Sequence, residues 1–108
     1  MQEIAKTPEP PYYVVIFSSV VSEDTEGYEE MAEKMAILST QQPGFLGMEY
    51  GEYDGLGITT CYWESLEAIA AWKENAEHKV AQALGKEKWY KALAIRVGKI
   101  ERDSFFGK

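Results

Sequence analysis

The chain has 108 residues, 45% of them apolar and 27% charged, which fits one globular domain with a modest core. Its formal net charge of −7 excludes a phosphate-neutralising surface for nucleic acid and disfavours anionic membranes. The lone Cys61 cannot form an internal disulfide, and no stretch approaches the ~20 apolar residues of a membrane span. The N-terminus lacks the basic and then apolar run of a signal peptide, so the expected location is the cytoplasm.

Residues 1–11 carry Pro8, Pro10 and Pro11 among polar residues and read as an extended, flexible arm. "YYVVIFSSVV", residues 12–21, is β-branched and aromatic, which predicts a strand. The period then changes. Tyr28, Met31, Met35 and Leu38 follow helical spacing, with acidic residues near the start where the helix dipole favours them. Pro43 and Gly44 stop that helix. "FLGMEYGEYDGLGITTCYWE" reads as two strands around an Asp54-Gly55 hairpin turn.

Ser65 is placed to cap a second helix from Leu66, whose stripe is Leu66, Ile69, Trp72, Ala76, Val80 and Ala83. Gly85 ends or bends it, and residues 91–102 form the last strand. The tail, 103–108, carries Phe105 and Phe106. The order β-α-β-β-α-β predicts an α+β, ferredoxin-like domain over 12–102, an antiparallel sheet with two helices on one face.

Strands alternate side chains between faces, and here both sets are apolar. Tyr12, Val14 and Ile16 oppose Tyr13, Val15 and Phe17 on the first strand. Two helices cover only one face, so the other would expose several hundred Å² of apolar surface. A homodimer stacking sheet on sheet resolves this; the competing expectation is a tail that folds Phe105 and Phe106 back over its own sheet.

"QQPGFLGMEY", "YWESLEAIAAWKENAEH" and "RVGKIER" resemble the antibiotic biosynthesis monooxygenase (ABM) superfamily across about residues 12–102. The run "AWKENAEHKVAQALGKEKWY" looks most like a bacterial subgroup whose members are mostly of unassigned function. The resemblance implies a dimeric α+β barrel with a pocket in each subunit between helices and sheet. Some members oxygenate aromatic polyketides without metal or flavin, some bind or degrade haem, and others only bind ligand or act in signalling.

The chemistry-bearing residues are few. His78, the only histidine, lies six positions after Trp72 and so about 120° round the helix, at the edge of the apolar stripe. A neutral imidazole there can accept a proton near neutral pH, whereas a histidine without an identified partner is more often a surface hydrogen-bonder. Trp72 matches the tryptophan that faces the pocket in many members, and equally suits a core position. Phe17, Ser18 and Ser19 fall where the first strand would look into the pocket. Trp89 and Tyr90 shape the same cavity or its entrance, and packing against the helix end is the plainer role for Trp89. Trp63 is assigned to packing.

In haem-degrading members the first strand supplies an asparagine and a histidine follows the helix tryptophan by ten positions. Here that position is Gln82 and the strand has no asparagine, so haem is disfavoured as a cofactor. The leading expectation is a cofactor-independent monooxygenase acting with dioxygen on a phenol- or quinol-like substrate. Trp72 and His78 would be catalytic; Phe17, Ser19, Gln82, Trp89 and Tyr90 would bind substrate; no metal is implied. The alternatives are a haem-binding or haem-degrading protein and a non-catalytic dimeric ligand-binding module.

Overall fold

A computed structural model describes residues 3–82 and 89–107, with side chains in the second helix described as far as Ala76. The elements are β1 (Tyr12–Val21), α1 (Tyr28–Thr40), β2 (Phe45–Tyr53), β3 (Leu56–Trp63), α2 (Leu66–Gln82) and β4 (Tyr90–Ile100). The expected order is therefore present, with ends close to those the sequence predicts. Gly85, the expected end of the second helix, lies outside the described residues.

Local chemistry sets the boundaries. The α1 helix begins after Gly27, whose φ of 83° suits a residue without a side chain, and carries Glu29 and Glu30 in its first turn. Ser65 caps α2 by accepting the Ala68 N–H at 3.0 Å. Asp54 and Gly55 both adopt positive φ, 52° and 84°, as the tight hairpin turn requires. Gly44 has φ 86°, and a Cβ there would stand 2.7 Å from the Ala68 Cβ. Both the turn and the close approach of α2 exclude a side chain.

The four strands are antiparallel in the order β2-β3-β1-β4. Cross-strand partners share a face, so register assigns the sides. One face carries Tyr13, Val15, Phe17 and Ser19 of β1 with Trp63, Cys61, Thr59 and Gly57 of β3. Trp63 stacks on Trp72 of α2, and Phe17 and Tyr28 of α1 both meet Tyr90, so this is the helix side. Bulges at Phe45/Gly47 and Val20/Val21 shift β2 and β4 by one residue, which turns Met48, Tyr50 and Tyr90 to the helix side. Ser18 pairs with Ile58 and Ala94 and therefore faces the other way, not into the helix side as expected.

The far face is divided. At one end the segment before β1 lies on the sheet: Ala5 donates its N–H to Glu49 Oε2 at 2.9 Å, and a Cβ on Gly47 would be 3.0 Å from the Ala5 Cβ. Glu49 also accepts from Tyr62 at 2.8 Å and Thr60 at 3.1 Å, while Tyr12 donates to Asp103 at 2.6 Å. Tyr12 and Val14 are buried there. At the hairpin end Tyr53, Leu56 and Ile58 are exposed. Phe105 and Phe106 are 58% and 103% exposed, so the tail's phenylalanines do not cover their own sheet.

Burial opposes ionisation of Glu49, but the Ala5 N–H and the hydroxyls of Tyr62 and Thr60 together hold its carboxyl below the ordinary value. A carboxyl lowered on folding stabilises the folded state above its unfolded value and stops doing so as pH falls through the folded one. Urea denaturation should therefore show stability falling as pH drops below the ordinary carboxylate range, with a shallower dependence in Glu49→Gln. That variant should also lose about 1 kcal/mol at neutral pH.

Candidate functional site

The aromatic side chains of the helix side gather into two groups at opposite ends of the sheet. At one end Trp63 is fully buried and meets Phe45 edge-on at 5.5 Å and Trp72 in a stack at 6.3 Å between ring centres. At the other, Tyr90 meets Phe17 at 5.7 Å and Tyr28 at 5.6 Å, both edge-on, and Tyr28 meets Trp89 at 6.0 Å. Trp63 and Gly57 mark the two ends of β3, six residues or about 20 Å apart.

Between these ends the described residues do not fully cover the sheet. Val15, Phe17, Met48, Thr59 and Cys61 all face the helices yet stay only half-buried. A close-packed helix–sheet interface would remove such side chains from water. The result is a trough with an apolar floor and aromatic ends. A separate depression on the outer surface, lined by Thr25, Gly27, Glu29 and Glu30, has two carboxylates where an anion would need a positive field.

The polar groups of the trough differ in character. Trp89 is buried and donates its indole N–H to the Glu26 carbonyl at 2.9 Å, while its own carbonyl accepts from Ser22 N at 2.7 Å. Its hydrogen-bonding capacity is used in fixing the loop before α1, which is the packing role. The Trp63 indole N–H is buried and finds no partner among the described residues. A buried orphan donor costs about 1–3 kcal/mol, and such groups call for a water or a ligand atom.

Burial, and then a hydrogen bond to Tyr28, pushes the Tyr90 hydroxyl above its ordinary range, so it stays protonated at neutral pH. Burial likewise raises the Cys61 thiol to about 11.

Of the residues expected to form a site, Phe17, Ser19 and Tyr90 share the tyrosine end of the trough and Trp89 backs it. Trp72 stands at the opposite end. The helix rise carries positions 78 and 82 about 9 and 15 Å along the axis beyond Trp72. The side chains of His78 and Gln82 lie outside the described residues. Sequence reasoning missed Tyr28, Tyr50 and Gly57, which the fold brings to the same end as Phe17 and Ser19. Helical spacing alone assigns Tyr28 to the stripe of α1, and Tyr50 takes its side of the sheet only through the β2 bulge.

These features are those of a small ferredoxin-like α+β domain with an aromatic-walled space between its helices and its sheet. Residues 11–84 match the antibiotic biosynthesis monooxygenase family, and the chain belongs to that family. It is 51% identical over 107 residues to the uncharacterized protein YqjZ of Bacillus subtilis (strain 168), spanning 98% of this chain and 94% of that protein. Its fold is similar to that of SnoaB, a cofactor-independent oxygenase from Streptomyces nogalater. The TM-score is 0.66 at 12% identity, over 92% of this chain and 100% of that one. PA3566 from Pseudomonas aeruginosa is similar too, with a TM-score of 0.67 at 15% identity over 90% of this chain and 99% of that one. At such identities the likeness is one of fold.

The unpaired Trp63 donor gives a direct check. Trp63→Phe keeps a large ring in place and deletes the orphan N–H. Its thermal midpoint should match or exceed that of the native chain, whereas Trp63→Ala should lose about 3–5 kcal/mol through the cavity it leaves.

Proposed function

We propose that this chain is a cofactor-independent monooxygenase that takes a small phenol- or quinol-like molecule into the trough between helices and sheet. The observation that carries this reading is the half-buried, largely apolar patch of Val15, Phe17, Met48 and Cys61 that faces the helices between two groups of aromatic rings. Such a patch favours a flat apolar guest. Family membership and the fold shared with SnoaB support oxygenase chemistry.

In this proposal His78 removes the phenolic proton, and the anion delivers electrons to dioxygen from the ring carbon opposite its oxygen. A carbon–oxygen bond forms to give a hydroperoxide. The hydrogen on that carbon then leaves as a proton, the O–O bond breaks and water departs. One oxygen atom stays as a quinone carbonyl and the other ends in water, so the phenol itself supplies the electrons. The protein's part is orientation and a site poor in water.

The exposed Tyr53, Leu56 and Ile58 on the far face support a homodimer as the working state. Sedimentation at micromolar concentration should give twice the mass of one chain, and Ile58→Glu should return it to one.

The catalytic test uses the metal-free and flavin-free protein with 1-naphthol in an oxygen electrode. One dioxygen should be consumed per quinone formed, with one atom of labelled dioxygen in the product. His78→Ala should slow turnover at least tenfold, a loss of about 1.4 kcal/mol or more in barrier lowering. Oxygen uptake no faster than in protein-free buffer would remove the reading.

A further inference from the structure

The arm before β1 lies on the far face at the end away from the hairpin, and it precedes residue 11, where the match to the family begins. Ala5 and Thr7 are half-buried while Ile4, Lys6 and Pro8 are exposed, the alternation of an extended chain laid on a surface. Two contacts hold it at Ala5. The Ala5 N–H reaches Glu49 Oε2 at 2.9 Å, and a Cβ on Gly47 would stand 3.0 Å from the Ala5 Cβ. Gly47 has no positive φ, so the passing arm, and not the backbone, keeps that position bare.

The arm can leave at little cost. Thr60 and Tyr62 both donate to Glu49 Oε1, which leaves Oε2 to the arm. With the arm away, water meets Oε2 and the Ala5 N–H, and no buried group is stranded. A segment with one backbone hydrogen bond and few buried side chains opens far more readily than the sheet beneath it.

What the arm covers is half of a larger surface. Along β3 one face runs from Tyr62 and Thr60 at the arm's end to Ile58 and Leu56 at the bare end. Tyr53, Leu56 and Ile58 are the exposed large apolar side chains of that bare end. Three side chains fall well short of the roughly 20–30 residues that each partner of a stable interface contributes. Stacked sheets stand about 10 Å apart with side chains filling the gap. An extended segment lying on one sheet occupies that layer, so a second sheet cannot cover the same end while the arm is there.

We propose, resting on the homodimer reading, that the arm is a displaceable strap over half of the surface on which a second copy of this chain stacks. Docked, it confines the second copy to the hairpin end. Lifted, it opens the Gly47 and Glu49 end and joins the two halves into one interface.

The test alters the arm and leaves the sheet intact. In the whole chain, Ala5→Pro removes the N–H that Glu49 accepts, and Ala5→Leu brings a larger side chain against Gly47, where a methyl already fills the space. The rate of trypsin cleavage after Lys6, followed by mass, reports the arm. The dimer dissociation constant from sedimentation equilibrium reports the face. Both variants should be cut at least tenfold faster than the native chain and should dimerise at least tenfold more tightly.

Faster cleavage with an unchanged dimer would overturn the strap, and so would a weaker dimer, which would make the arm part of the interface. Cleavage no faster than native in both variants would overturn it as well, because Ala5 would not be what holds the arm. A single-chain mass for native and variant proteins at every concentration would remove the homodimer reading and the strap together. A native dimer indifferent to the arm would remove the strap alone.

Discussion

The fold turns on Trp63. It ends β3, pairs with Tyr13 and Phe45 across the sheet, and has no exposed surface. Immediately after it, Glu64 N–H bonds the Gly44 carbonyl at 2.9 Å, tying the entry of β2 to the exit of β3. Trp72 then stacks on its indole and fixes α2 over the sheet. Burying an indole this fully contributes several kcal/mol, which a chain of this size needs from few residues. The cost is an N–H with no partner among the described residues.

The opposite end of the trough is held differently. Trp89 closes it from behind, with its N–H spent on the Glu26 carbonyl and its ring against Gly27 and Tyr28. The two tryptophans thus divide the labour of a small core. One is hydrogen-bonded and fastens a loop; the other is buried with no hydrogen-bond partner among the described residues. Between them the helix-facing side chains of Val15, Phe17, Met48, Thr59 and Cys61 are half-buried.

Much of this was readable from the chain alone. The period-two run at 12–21, the Asp54-Gly55 turn and the Ser65 cap are local signals, and local chemistry decides them. The site was readable only in part, because it depends on register. The bulges beside Phe45 and Val20 decide which face Tyr50 and Tyr90 occupy, and no composition rule announces a bulge. Trp63 was correctly placed in packing, but its missing hydrogen-bond partner is a property of the assembled neighbours. Gly57 looked like one more residue of a glycine-rich hairpin. The structure sets it inside β3, buried under the Tyr50 ring and the Ser19 hydroxyl.

Cys61 lies on the floor of the same trough, and burial lifts its thiol to about 11. At neutral pH roughly one molecule in ten thousand carries the thiolate, the form that attacks electrophiles. A nucleophile kept in that unreactive form is shielded from electrophiles that would alkylate an exposed cysteine, so Cys61 serves its strand as a small apolar side chain.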